Sequence, residues 1–282
     1  MTDGPVRLTG DGNPLQFQRI GFGRTDVGRQ RAVNEDAFLV DNELGLYVVA
    51  DGMGGHSSGE IASTEAIETL HNMVLQNRDA LARIDEMPIE TGPRASRRPP
   101  TMYRALRILE SAIQAATYMV FGLSENNPER RGMGTTISAL YVRGGFALTA
   151  QVGDSRVYRV SEGRVEQMTE DHTLIAWQLK RGLITPEEAR MSRQKNVITR
   201  AVGSRDYVQV DTNYAPVRSG DSFLLCSDGL HGYLSDAEIL QIMQRTPEEA
   251  TQGLIDLANQ RGGRDNITSI AVQLIAANAD SI

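Results

Sequence analysis

Apolar residues occur in this chain as short unbroken runs and as longer stripes at helical spacing. Gly45-Leu46-Tyr47-Val48-Val49-Ala50 is apolar and β-branched and leads straight into Asp51-Gly52-Met53-Gly54-Gly55, which predicts a buried strand ending in a glycine-rich turn. From Ile61 to Gln76 the residues Ile61, Ala62, Ala66, Ile67, Leu70 and Val74 share one side of a helix. A second helix is expected from about Tyr103 to Phe121, with Leu106, Leu109, Ile113, Ala116 and Val120 as its stripe. Strands return at Thr135 to Val142, Phe146 to Val152 and Val157 to Val160, with turns at Arg143-Gly144-Gly145 and Gly153-Asp154-Ser155. That spacing predicts an antiparallel meander.

Short helices are expected at Asp171 to Leu183 and Thr185 to Met191, then a buried strand at Phe223 to Ser227. Two capping boxes, Ser235 with Glu238 and Thr246 with Glu249, open two further helices. Ile267 to Ile275 closes the pattern as a strand with period-two alternation. Strands, long helices, strands again and late helices fit a layered α+β domain.

The remaining segments set the limits of that domain. Met1 to Gln16, with three glycines and two prolines, is expected to be a loose tail with no apolar stretch of the signal-peptide kind. Residues 17–276 read as one domain and 277–282 as a second tail. Residues 77–102 read as an irregular connection rich in proline and charge, whose Arg94, Arg97 and Arg98 are more simply a solvated loop than a docking element.

Composition narrows the function. The chain has 282 residues, 40% hydrophobic and 23% charged, which describes an ordinary folded protein. A single cysteine, Cys226, excludes an internal disulfide. No apolar run reaches the ~18 residues of a membrane span, so a cytoplasmic protein off the membrane is expected. A net charge of -7 argues against general affinity for nucleic acid.

Four aspartates share a context. Asp36, Asp51, Asp228 and Asp265 each lie at the edge of a strand-like segment, the last three beside glycine or asparagine. Any one alone is as readily a cap or turn residue. Several converging would repel one another and need a cation, and oxygen ligands select Mg²⁺, Mn²⁺ or Ca²⁺. Zinc is disfavoured by one Cys and four His with no ligand spacing.

Read in order, Arg31-Ala-Val-Asn-Glu-Asp36, Val49-Ala-Asp-Gly-Met-Gly-Gly-His56, Gly134-Thr-Thr136, Val152-Gly-Asp-Ser-Arg156, Glu170-Asp-His172, Ile198-Thr-Arg-Ala-Val-Gly203, Cys226-Ser-Asp-Gly-Leu230 and Gly263-Arg-Asp-Asn-Ile-Thr268 form a series. This series resembles that of the metal-dependent protein serine/threonine phosphatases, the PP2C family, in its bacterial form. The resemblance spans about Gly21 to Leu274. It implies a central β-sandwich of two antiparallel sheets flanked by helices on both sides, four layers in αββα order, with two Mn²⁺ or Mg²⁺ ions at one end. Asp51 would bridge the metals, the Gly52 carbonyl would bind one, and Asp228 and Asp265 would complete the other. Asp36 would support the site, Glu35 and Asn266 would stand just behind it, and Asp154 with Asp228 would match a third metal.

Arg31 matches the family's phosphate-binding arginine, whose planar fork suits two phosphate oxygens. The implied reaction is hydrolysis of phosphoserine and phosphothreonine by direct attack of a metal-bridging hydroxide. Many eukaryotic members carry a histidine directly after the Asp-Gly pair, but Met53 stands there in this chain. His56 is the best replacement general acid, with His172 or a metal-bound water as alternatives, and a structural place behind the site is an equal reading of His56; His71 and His231 have no assigned role. Residues 171–197 match the family's flap beside the site. The implied partners are phosphorylated proteins, a bacterial Ser/Thr kinase or its substrates, and a monomer is the default. A phosphodiesterase or nuclease is the competing enzyme, a degenerate phosphatase the non-enzymatic alternative, and a cysteine phosphatase is excluded because Gly232 stands where its loop needs arginine.

Overall fold

The computed structural model describes residues 17–276 apart from 55–57, 88–98, 193 and 195. The two expected tails, the Arg94, Arg97 and Arg98 cluster and His56 lie outside the described residues. In chain order the elements are β1 (Phe17–Asp26), β2 (Asp36–Asp41), β3 (Leu46–Met53), α1 (Ser58–Gln76), α2 (Arg78–Ala82), α3 (Pro100–Glu125), β4 (Gly134–Thr135), β5 (Ile137–Arg143), β6 (Phe146–Val152), β7 (Arg156–Ser161) and β8 (Arg164–Gln167). There follow α4 (Leu174–Lys180), α5 (Pro186–Met191), β9 (Asp211–Pro216), β10 (Ser222–Cys226), α6 (Asp228–His231), α7 (Asp236–Ile242), α8 (Pro247–Gln260) and β11 (Ile267–Ala276).

Two antiparallel sheets run in the orders β1-β11-β10-β7-β8 and β2-β3-β5-β6-β9, with β4 continuing along β3. Successive residues of a strand point to opposite faces, and here both faces are covered. Leu46, Val48 and Ala50 of β3 pack with Leu70 and Leu109 of α1 and α3, whereas Tyr47 and Val49 meet Phe223, Leu225 and Ile270 of the other sheet. On the far side Leu224 and Cys226 pack with Ile239 of α7 and Leu254 of α8. Three apolar layers therefore separate four layers of structure, in αββα order as the resemblance implies. Double coverage explains why the β3 and β10 sequences read as continuous apolar runs.

Three expectations need correction. The meander ends after β5 and β6: Gly153-Asp154-Ser155 carries the chain across the sandwich, so β7 pairs with β10 and β8 instead of β6. Gly153 has φ +103, and a Cβ there would lie 2.5 Å from the Thr136 side chain, so the crossing is built on glycine. The connection at 77–102 is not irregular throughout, because α2 and a 3₁₀ turn at Arg83–Glu86 bury Leu81 and Ile84 beneath the α1–α3 layer. Last, β11 shows no period-two alternation: Ile267 to Val272 are buried without a break, one side chain against α8 and the next against the other sheet.

Smaller shifts have local causes. The first flap helix begins at Leu174, after Asp171, because the Thr173 hydroxyl caps it by accepting from the Ala176 N–H. The Ser235 and Thr246 capping boxes form as expected, and Thr185 with Glu188 adds a third. The strand expected from Thr135 to Val142 breaks at Thr136 for a reason that belongs to the site.

Candidate active site

The sheet ends bring the aspartates together. Asp36, the first residue of β2, lies opposite Asp51 in the β2–β3 register. Asp228 follows β10 at the head of α6, Asp265 precedes the neighbouring β11, and Asp154 occupies the β6–β7 crossing. Burial holds the Asp51 carboxyl well above the usual range, and the charges of Asp36, Asp228, Asp154 and Asp265 push it further. Asp36 rises to about 7, mainly through burial and against hydrogen bonds from Thr268 and Ser227. Asp154 also reaches about 7 through burial and the nearby charges of Asp228 and Asp171. Asp228 is raised by burial and by Asp265, and hydrogen bonding with Asp51 moves it back.

Such crowding needs a positive charge, and one atom shows where it is missing. Oδ2 of Asp36 accepts from Ser227 Oγ at 2.8 Å and Thr268 Oγ1 at 2.6 Å, but its Oδ1 is buried with no partner. An orphaned carboxylate oxygen among other carboxylates is a hard-cation donor set. Among the described residues no three acidic, histidine or cysteine side chains yet close on one point as a finished cage. Arg31 Nη2 pairs with Asp265 Oδ2 at 2.8 Å. The charge cluster and the orphaned oxygen carry the fit, and the donors suit Mn²⁺ or Mg²⁺.

Buried polar groups fix the cluster from behind. The Thr136 N–H donates to the Asp51 carbonyl at 2.9 Å, whereas the Asp51 N–H turns to Thr136 Oγ1 at 2.9 Å, which is what interrupts the strand. Thr136 Oγ1 also meets Ser155 Oγ at 2.7 Å, tying Asp51 to the Asp154 turn. His231, which the sequence left without a role, hydrogen-bonds the Asp154 carbonyl through Nε2 at 3.0 Å and so locks that turn to the helix bearing Asp228. Burial lowers its pKa to about 4, so the ring is neutral and Nε2–H donates. No sequence signal marked it, since a histidine three residues after Asp228 in a short helix has many uses.

Asn266 fastens the loop between β1 and β2. Its Oδ1 accepts from the Glu35 N–H at 2.9 Å, and its Nδ2 donates to the carbonyls of Val27 and Val33 at 3.1 and 2.9 Å. The loop carrying Arg31 and Glu35 thus hangs on one buried amide. Asn266→Ala strands three polar groups and is expected to cost about 2–4 kcal/mol of stability. Urea unfolding of the metal-free protein measures this, and an unchanged midpoint would contradict it.

Glu35 reaches the N–H of Gly59 through Oε1 at 3.1 Å, at the start of α1. Gly52 is glycine for want of space, because a Cβ there would lie 2.1 Å from the Gly59 carbonyl oxygen. His172 is corrected as an alternative acid. Its Nδ1 accepts from the Gly153 N–H at 3.1 Å, and its Nε2 lies 3.1 Å from Asp211 Oδ2 and 3.0 Å from Arg200 Nη1. Both nitrogens are occupied, so the ring is a structural joint. His71 pairs with Asp41 at 2.9 Å, fastening α1 to β2.

A cavity of about 370 Å³ lies at the opposite end of the β7–β10–β11 sheet, lined by Val160, Gly220, Leu240, Met243 and Ile275. Its carboxylate Asp221 is neutralised by Arg159 at 2.5 Å. The chemistry belongs to the aspartate end.

Mutually repelling carboxylates at the mouth of a helix-covered sandwich make a site for hard cations, and the class of protein that this fold and site define is the metal-dependent phosphatase. A model of the family described as protein phosphatase 2C matches residues 25–259. The serine/threonine phosphatase Stp of Listeria innocua is 36% identical over 255 residues, covering 89% of this chain and 94% of that protein. PstP of Mycobacterium tuberculosis is 35% identical over 254 residues, covering 89% of this chain and 44% of that longer protein. A structure of the PstP catalytic domain in complex with two manganese ions superimposes with a TM-score of 0.73 at 33% identity, covering 92% of this chain and all of that one. A Streptococcus agalactiae serine/threonine phosphatase gives a TM-score of 0.76 at 33% identity over 90% of this chain and 99% of that one. The chain belongs to the protein phosphatase 2C family.

Proposed function

We propose that this chain removes phosphate from phosphoserine and phosphothreonine in other proteins, with Mn²⁺ or Mg²⁺ held by Asp51, the Gly52 carbonyl, Asp228 and Asp265, and a third ion by Asp154 with Asp228. The observation that carries this reading is the buried, partnerless Oδ1 of Asp36 within a group of mutually repelling carboxylates. The solved PstP catalytic domain with its two manganese ions supports the choice of metal. When bound, such ions supply the acidity that makes water a nucleophile near neutral pH and the charge that neutralises phosphate oxygens.

The chain's own residues do the rest. Asp36 keeps one oxygen fixed by Ser227 and Thr268 and presents the other to the site. Glu35, anchored on the Gly59 N–H, and Asn266 hold the loop that carries Arg31. With Asp265 holding a cation, Arg31 would be released from that pair and could grip two phosphate oxygens and present phosphorus for in-line attack. The new bond joins water oxygen to phosphorus, the bond from phosphorus to the seryl or threonyl oxygen breaks, and that oxygen takes up a proton. In this reading His56 or a water at the metals is the donor, since His172 has no free nitrogen.

Its substrates are phosphorylated proteins, and we assign it to a bacterial Ser/Thr kinase or that kinase's targets, acting as a cytoplasmic monomer. The one cysteine, buried Cys226, suits a reducing compartment. Chelator-stripped protein should release no phosphate from a phosphothreonine peptide until Mn²⁺ is added, and should hydrolyse p-nitrophenyl phosphate far faster than its bis-ester. Metal-independent release, or equal rates on the two esters, would overturn the proposal.

A further inference from the structure

Three arginines lie on two adjoining segments beside the carboxylate cluster. Arg29 and Arg31 alternate in the loop between β1 and β2, and Arg264 directly precedes Asp265. The two segments are zipped together. The Arg29 N–H donates to the Gly263 carbonyl at 2.7 Å. Gly28 has φ +81, and a Cβ on it would lie 2.3 Å from the Asp265 carbonyl oxygen. A Cβ on Gly263 would lie 2.9 Å from Arg29 Cγ, so the stem of Arg29 runs across the residue beside Arg264.

The three differ in how their charge is met. Arg31 is paired with Asp265 at 2.8 Å. Arg29 and Arg264 are both exposed, and neither guanidinium has a hydrogen-bond or ion-pair partner among the described residues. In a chain of net charge -7, two uncompensated cations flank the arginine that the phosphatase reading gives to phosphate. Arginine in that state favours a planar anion, and exposed charges at the rim of a site act on encounter and selection.

We propose that Arg29 and Arg264 form a subsite for a second anionic group on the substrate, a carboxylate or a second phosphate within about two residues of the phosphoresidue being hydrolysed. The proposal rests on Arg31 binding the scissile phosphate. An extended peptide advances about 3.3–3.6 Å per residue, so two residues place the second anion about 7 Å away.

The test uses the full chain with saturating Mn²⁺ and phosphothreonine peptides alike except for a residue two positions to either side: alanine, glutamate or a second phosphothreonine. The parent should favour the anionic peptides by about 3- to 10-fold in kcat/KM at low salt, mainly through KM, with the preference shrinking as salt rises. The double variant R29Q/R264Q should match the parent on the alanine peptide and treat all three alike. Should that variant melt below the parent, R29Q alone carries the comparison and should lose part of the preference. Equal rates on all peptides in the parent, or a preference that survives both substitutions, would overturn the subsite and leave the phosphatase reading standing. No hydrolysis of any peptide would remove both.

Discussion

Asp51→Asn should lower kcat/KM by at least about a thousandfold at saturating Mn²⁺, and the same protein, stripped of metal at pH 8.5, should melt higher than the parent. The two effects have one cause. The Asp51 carboxyl is surrounded by the charges of Asp36, Asp228, Asp154 and Asp265, so in the metal-free fold its ionisation is opposed from four directions. An amide of the same shape removes one of those charges, which relieves about 1.4 kcal/mol for each pH unit by which the carboxyl is raised. The backbone there does not depend on the carboxylate, because Thr136 and Thr135 hold the Asp51 N–H and carbonyl. The gain corresponds to a rise of about 2–4 °C per kcal/mol for a chain of this size. Phosphopeptide kinetics and calorimetry after chelation read the two halves separately. Retained turnover would remove Asp51 from the chemistry, and a lower melting temperature in the variant would show that the cluster is not self-repelling.

Such a site is legible in sequence only in part. The continuous apolar runs of β3 and β10 show because both faces of their strands are covered; Asp51 closes the first run and Asp228 lies two residues past the second. By contrast β9, Asp-Thr-Asn-Tyr-Ala-Pro, has no strand pattern; it is an edge strand that exists because β6 offers it partners from Phe146 to Gln151. The Gly153-Asp154-Ser155 segment looked like a hairpin turn because its buried polar network, Thr136 with Ser155 and Ser138 with the Ser155 carbonyl, joins residues far apart in sequence. His231 was silent for the same reason: its partner, Asp154, lies 77 positions away. The aspartates themselves could be picked out by their context, but which of them meet depends on strand order, which local pattern does not encode.

The second large effect is on stability as a function of pH, and its sign can be worked out group by group. Asp36 and Asp154 have folded pKa values of about 7, Asp51 lies well above its ordinary value and Asp228 above it too, against about 3.9 in the unfolded chain. Stability from such raised carboxyls is fully present below pH 4 and is lost as pH climbs through the folded values, at up to about 1.4 kcal/mol per pH unit for each proton difference. Two histidines oppose this over part of the range. Burial lowers His231 to about 4 and lowers His172 as well, so they add stability as pH rises towards the ordinary histidine value of about 6.5 and add no more beyond it. The cleaner window is therefore above pH 6.5, where the histidines add nothing more and the carboxyls dominate; the Cys226 thiol, pushed up to about 12 by burial, adds a small loss of the same sign as pH nears 8.5. Metal-free protein should lose several degrees of melting temperature between pH 6.5 and 8.5. Millimolar Mn²⁺ binds the ionised carboxylates, so its stabilisation should grow with pH and cancel or reverse that fall. A metal-free melting temperature that holds steady or climbs across those two units would mean that the aspartates are neutralised by something within the chain itself, and the need for cations at this end of the sandwich would vanish.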